Sequence, residues 1–146
     1  MIRKAGEMAF AMYAAHDYLA ECGTPRRGDG FKGHQMVAYQ SAVAHVAAYR
    51  WTNALPCPVT FRAADATSML DAVAANMGIG VLPCFLGDPD DRLVRLDDLG
   101  GPQPETIWLV SRDDAKEVAR VQIVSAWLLE LFRAHANELN GFGGPP

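Results

Sequence analysis

Three features of the sequence predict an α/β fold built on a mixed, mostly parallel sheet with helices on both faces. Between residues 59 and 83 the chain reads strand, helix, strand. Val59-Thr60-Phe61-Arg62 is β-branched and aromatic, while Met69, Leu70, Val73, Ala74 and Met77 fall at helical spacing. Ile79-Gly80-Val81-Leu82 follows as a short apolar run closed by Pro83. So short a connection implies a βαβ unit and parallel strands. Other strand-like runs alternate with helical ones, and the longest helical pattern, about residues 115–139, comes last. At 146 residues, half of them hydrophobic, the chain suffices for one domain with its own core.

The remaining elements follow in order. After a charged start, Met8, Phe10 and Met12 alternate with Ala9 and Ala11, the period of a strand with one face of large side chains. His16 to Cys22 predicts a short helix with Tyr18, Leu19 and Cys22 on one side. Gly23 supplies its left-handed end and Pro25 prevents continuation. Residues 26–33 are rich in glycine and basic side chains and predict a surface loop. Met36–Tyr39 suits a short strand and Ala42–Trp51 a helix, closed by Pro56 and Pro58. In the 59–83 unit, Thr67 and Ser68 offer N-caps, with Asp71 as a capping-box partner, and Gly78 stops the helix. Residues 87–91 form an acidic turn. Leu93–Leu96 and Ile107–Val110 predict two further strands around the loop 100–104. Ser111 to Asp114 supply caps and early negative charge for the final helix. Its apolar positions are Val118, Val121, Val124, Leu128, Leu129 and Phe132, widened by Ile123, Trp127 and Leu131. Such a stripe demands cover on more than one side. Residues 140–146 are expected to be a disordered tail.

Composition narrows the function. Thirteen Lys and Arg against seventeen Asp and Glu give a formal charge of -4. Without a basic excess or stripe, direct contact with nucleic acid is not expected. Cys22, Cys57 and Cys84 are an odd number with no C-x-x-C pair, which suits a reducing compartment and a small-hydrophobe role. The start lacks a signal-peptide core, and no apolar run approaches the roughly 18 residues of a membrane span. The expectation is a cytoplasmic protein without membrane contact.

Catalytic patterns are missing from the sequence. His16, His34, His45 and His135 stand at no metal-ligand spacing, so structural or surface roles are expected and no metal site. There is no G-x-S-x-G elbow, and Ser68 reads as a cap rather than a nucleophile. Asp88, Asp90 and Asp91 are divided by Pro89 and lack a calcium-loop pattern. The glycines at 78 and 80 follow a helix, the reverse of a dinucleotide fingerprint. No catalytic residue and no cofactor is expected. What remains is helix N-termini that follow strands, whose unpaired N–H groups suit a carboxylate or phosphate. The turns Tyr13–His16 and Asp65–Ser68 are the candidates, and at one edge of the sheet they would form a small-molecule cleft.

These same residues carry a resemblance. Phe10-Ala11-Met12-Tyr13-Ala14-Ala15-His16-Asp17-Tyr18-Leu19, then Gly23-Thr24-Pro25, resembles the YAS-x-x-YL-x-x-x-G-x-P segment of LysR-type transcriptional regulators. Gly33-His34 before an apolar strand is similar to the next piece. Val59-Thr60-Phe61, Ser68-Met69-Leu70 and Gly78-Ile79-Gly80-Val81-Leu82-Pro83 resemble the helix and G-x-G-x-x-L/V-P turn of the effector-binding domain. Leu93-Val94-Arg95, Ile107-Trp108-Leu109 and Ala119-Arg120-Val121 resemble its closing strands and last helix. The similarity runs from about residue 7 to 135 in unbroken order.

The resemblance implies a fragment of a periplasmic-binding-protein-like (type II) fold. The second subdomain would occupy about 15–83, and the return to the first about 84–139. It implies a truncated effector-binding domain without the helix-turn-helix or the opening part of the first subdomain, and not an enzyme. Candidate effector contacts are Ala15, His16, Ala66, Thr67, Ser68 and Gly80. At Ala15, where the family has serine, only backbone groups remain. Anionic aromatic or carboxylate metabolites suit such a cleft. Partly uncovered, the last helix implies self-association or pairing with a related regulator. The alternative is an interaction module of that kind with no ligand of its own.

Overall fold

Two strands open the chain, β1 (Ile2–Met8) and β2 (Phe10–Ala15), in a computed structural model that describes residues 1–43, 45–115 and 117–141. All six residues of β2 are buried. The large-small alternation around Phe10 and Met12 therefore marks a strand enclosed on both faces, not one with a wet side. Met8 belongs to β1. The charged start forms that strand although Arg3, Lys4 and Glu7 mask its pattern. It pairs antiparallel with β7 (Glu105–Val110), from Ile2 opposite Val110 to Met8 opposite Glu105.

The chain then adopts α1 (His16–Cys22), over the residues predicted. Gly23, at φ 78°, closes it by donating its N–H to the Leu19 carbonyl at 2.9 Å. The glycine-rich loop after it is not wholly on the surface, because Phe31 is 2% exposed. β3 (Met36–Tyr39) is buried throughout. The expected helix from Ala42 is replaced by a single 3-10 turn at Ser41–Val43, and α2 (Ala47–Asn53) starts only after Val46, whose backbone is extended. Ala44 lies outside the described residues.

β4 (Val59–Ala63), α3 (Ala66–Ala74) and β5 (Gly80–Pro83) form the predicted strand-helix-strand. Its strands are not immediate neighbours. β3 lies between them, parallel to β4 and bridged in parallel by Met36 to Ile79. The Val37 N–H donates to the Ile79 carbonyl, and the Ile79 N–H to that of Gln35. Past Ile79 the chain leaves β3, and β5 pairs antiparallel with β2, from Phe10 opposite Pro83 to Tyr13 opposite Gly80. On its other edge β2 pairs antiparallel with β6 (Leu93–Arg95), which follows the short α4 (Cys84–Gly87). The sheets are mixed, as expected, but not mostly parallel: of the pairings between named strands only β3 with β4 is parallel. β2 and β5 carry the chain out and back through the middle, which forces them to oppose each other.

The core joins these layers through Met12, Tyr13, Met36, Tyr39, Met69 and Val73, each 1% exposed or less. Two tyrosines place their hydroxyls inside it. Tyr13 donates to Asp88 Oδ1 at 2.6 Å, and Arg95 Nη1 holds the other oxygen of that carboxylate at 3.2 Å. Burial drives the Tyr13 phenol far above its usual range, and the hydrogen bond to Asp88 adds to that.

The last helix, α5 (Ala119–Ala134), begins later than expected. Arg112 pairs with Asp114 at 2.7 Å, and Asp113 accepts from the terminal amine at 3.2 Å. Those carboxylates are engaged before they reach the helix, and Val118 caps it only with extended backbone. Lys116 lies outside the described residues. Val121, Leu128, Leu129 and Phe132 turn partly inward, whereas Val124 is 53% exposed and faces out. α6 (Ala136–Leu139) follows a break at His135. Of the expected tail, Asn140 and Gly141 are ordered by hydrogen bonds, Gly141 through its carbonyl to Arg95 Nη1 at 3.0 Å. Residues 142–146 lie outside the described residues. No described helix is long and apolar enough to cross a membrane.

Gly78 is a point of close backbone approach on this path. At φ 145° it adopts backbone that side chains avoid, and an added Cβ would sit 2.5 Å from the Gln35 carbonyl oxygen. Gly78→Ala is expected to cost roughly 2–4 kcal/mol, read as a lower urea midpoint with unchanged slope.

Candidate functional site

Strand direction decides which turns can meet. β3, β4 and the entry to β5 run one way, and β2 runs the other. α3 starts beyond the C-terminal end of β4, at the end of the sheet where Phe10 faces Pro83. α1 starts beyond the C-terminal end of β2, past the pairing of Tyr13 with Gly80. The turns Tyr13–His16 and Asp65–Ser68 therefore lie at opposite ends and do not share a cleft.

The six sequence-predicted contacts separate accordingly. Ala15 is buried, and the first N–H of α1, that of His16, is taken by the Arg92 carbonyl at 3.2 Å. Gly80 is buried under α3. A Cβ there would come within 2.6 Å of Met69 Sδ and 2.7 Å of Val73 Cγ2, so this glycine lets the helix seat closely on β5. Ala66, Thr67 and Ser68 form the first turn of α3, with Thr67 exposed and its neighbours half-buried.

That turn is capped by Asp65, not by Thr67 or Ser68. Asp65 has extended backbone, and its Oδ1 accepts the Ser68 N–H at 2.7 Å. Asp71 takes no part in the cap. Asp ranks with Ser among N-caps, so the signal was present one turn earlier than the residues chosen. The bond to the Ser68 N–H, first from its backbone, holds the Asp65 carboxyl below the usual carboxylate range.

An aromatic cluster that sequence patterns do not reveal stands at this same end. Tyr39, the last residue of β3, stacks on Tyr49 of α2 with ring centroids 3.6 Å apart. Phe10 meets Tyr49 edge-on at 6.4 Å. The Tyr39 hydroxyl donates to the Val81 carbonyl at 2.8 Å. Burial lifts the phenols of both tyrosines, and the nearby carboxylates of Glu105 and Asp65 add to the shift at Tyr49. Glu105, the first residue of β7, reaches across to accept the Ala48 N–H at 2.8 Å. Phe10, Tyr39, Tyr49, Asp65 and Glu105 come from five separate elements or turns. Together they gather aromatic rings and two carboxylates near the helix start at Ala66–Ser68, with Tyr39 fully buried and Phe10 6% exposed.

The histidines are engaged elsewhere. His34 is buried with Nδ1 3.2 Å from the Tyr18 hydroxyl, and His135 lies 2.9 Å from Glu138. Among the described residues, no group of three or more His, Cys, Asp or Glu side chains is arranged to hold a metal. Two surface grooves, about 370 Å³ beside Leu19, Pro25 and Arg95 and about 240 Å³ beside Arg3, Val121 and Ser125, include none of the six predicted contacts.

A family model described as LysR substrate binding domain matches residues 2–133. Comparison with curated proteins found no match. Among solved structures, the regulatory domain of CrgA, a LysR-type transcriptional regulator from Neisseria meningitidis, is 21% identical with a TM-score of 0.74. The match covers 90% of this chain and 68% of that one. Full-length CrgA matches at 21% identity and TM-score 0.75, over 90% of this chain and 47% of its own. The effector binding domain of QuiR, in complex with shikimate, is 12% identical with a TM-score of 0.63, over 92% and 66%. The CcmR regulatory domain of Synechocystis PCC6803, in complex with 2-PG, is 13% identical with a TM-score of 0.64, over 91% and 67%. This chain spans about two thirds of such regulatory domains and about half of a full-length regulator. At these identities the likeness establishes the fold, a type II periplasmic-binding-protein-like α/β architecture.

The Asp65 cap has a pH signature. Its folded pKa is lowered, so its contribution is complete above the ordinary carboxylate pKa of about 4 and disappears as pH falls through the lower folded value. Asp65→Ala is expected to lower the thermal midpoint at pH 7, with Asp65→Asn between the two. The difference between native and D65N should shrink in melts taken towards pH 3.

Proposed function

Because the chain belongs to the LysR substrate-binding domain family, we propose that it works as a small-molecule effector-binding (sensor) domain of a LysR-type regulator. In this reading it acts by binding and not by catalysis, works in the cytoplasm, and makes no DNA contact of its own. The observation that carries the proposal is the placement of the α3 start, through its cap Asp65, near Tyr39 and Tyr49 at the end of the sheet where Phe10 faces Pro83. The subdomain division expected from the sequence, about 15–83 and about 84–139, belongs to the same proposal. The pairing of β1 with β7 adds residues 2–8 to the second of these parts.

Of the six candidate contacts, Ala66, Thr67 and Ser68 are retained. Ala15 and His16 lie at the other end of β2, and Gly80 sits beneath α3 beside Val81, where it lets the helix seat closely. The effector we propose is a small anion with a ring or hydroxyl groups, in line with the shikimate and 2-PG held by QuiR and CcmR. Its hydroxyl groups would donate to Asp65 at the start of α3, and its charged group would lie clear of that carboxylate. Calorimetry with shikimate and a panel of small carboxylates and phosphates tests this. At least one should bind, and Thr67→Ala/Ser68→Ala should weaken it about tenfold, or about 1.4 kcal/mol, without lowering the melting temperature. Silence across the panel, or full affinity in the double variant, would sink the assignment.

A second reading is favoured by a separate observation. Ile123, Val124 and Trp127 on α5 are 69%, 53% and 58% exposed, and Trp108 on β7 is 58% exposed. Burying each such side chain is worth about 1.5–3 kcal/mol, so the surface suits self-association or pairing with a related regulator. Light scattering should show a dimer or larger species that Ile123→Glu/Trp127→Glu converts to monomer. A native monomer at high concentration argues against it.

A further inference from the structure

α2 differs from the other helices around the cluster in how its two ends are held. At its C-terminal end, Asn53 makes two hydrogen bonds to one residue of β3: its Oδ1 accepts the Tyr39 N–H and its Nδ2 donates to the Tyr39 carbonyl, both at 3.1 Å. The Thr52 hydroxyl is turned into the helix, onto the Ala48 carbonyl at 3.0 Å. At the N-terminal end no side chain of the segment itself caps the helix. The Ala48 N–H instead reaches Glu105 at 2.8 Å, 57 residues away, on the strand that pairs with β1. Between the two ends Tyr49 lies against Tyr39 and Phe10, over the cluster assigned to the effector. One end is therefore fixed to the β3 layer by a paired amide contact. The other meets the β1–β7 layer through the hydrogen bond from the Ala48 N–H to Glu105, beside the buried Ala48 side chain.

We propose that α2 is a lid over the effector site, anchored at Asn53 and latched by Glu105, and that this structure shows it shut. Release of Glu105 lets the Ala47–Tyr49 end swing away from β7, withdraws the Tyr49 ring from Phe10, and opens the cluster to a ligand. The lid couples the two parts of the fold, because the latch and the anchor belong to different sheets. The role of the lid in ligand entry rests on the effector-binding reading above, whereas the latch itself does not.

Hydrogen exchange on the whole chain tests the latch without any ligand, since local opening is read amide by amide. In Glu105→Ala, amides of residues 48–52 should exchange at least tenfold faster than in the native chain, while those of β2 and α3 keep their protection. Glu105→Gln, which still offers an acceptor but no charge, should fall between. Unchanged exchange at 48–52 in both variants would overturn the proposal. So would a rise at 48–52 matched in β2, because Glu105 would then support the fold as a whole. Stopped-flow binding of shikimate supplies the second arm: faster association in E105A than in native supports the lid, and equal rates oppose it. If shikimate binds neither chain, the lid over an effector site is overturned for that ligand, while faster exchange at 48–52 in E105A still supports the latch and unchanged exchange overturns it.

Discussion

Everything in this molecule is arranged around the antiparallel run of β2 against β5. β2 has no exposed residue, and it is paired on both edges, by β5 and by β6. Two strands passing through the middle in opposite senses give the domain two unlike ends. At one end Phe10 faces Pro83 and the starts of α2 and α3 gather; at the other Tyr13 faces Gly80 and α1 departs. The polarity of a single strand pair thus determines which helix starts can serve one ligand. It also sends β5 away from β3 after Ile79, and the Tyr39 hydroxyl reaches from β3 to the Val81 carbonyl of β5.

Much of this could be read locally. α1 follows from a short apolar face ended by Gly23, and the β4–α3–β5 unit from spacing and the Gly78–Gly80 turn. The elements that escaped were those whose stability is not local. β1 reads as a charged start because its partner, β7, lies about a hundred residues away and supplies the hydrogen bonds that its composition does not advertise. α2 begins late because Val46 is extended and a first-turn N–H, that of Ala48, is answered from far away by Glu105.

The candidate site was less legible than the fold for the same reason. Ala66–Ser68 were found because a helix start leaves a local mark. The wrong member of the turn was given the capping role, since Asp65, Thr67 and Ser68 are all competent caps and only backbone conformation separates them. The pairing of that turn with Ala15 and His16 failed on direction: each motif is a valid helix start, but sequence order does not state which way β2 runs. Phe10, Tyr39 and Tyr49 carried no signal beyond being aromatic, and in a core of this size aromatics are ordinary.

The amide of Asn53 acts as a substitute strand. Where β5 departs, the N–H and carbonyl of Tyr39 would face an empty edge, and Asn53 answers both with one side chain. A side-chain amide is the smallest group that offers an acceptor and a donor at the spacing of a neighbouring peptide unit. The sheet can therefore stop at Tyr39 without leaving an adhesive edge for another polypeptide. One asparagine thus finishes the hydrogen bonding that a missing strand would have supplied at the end of β3.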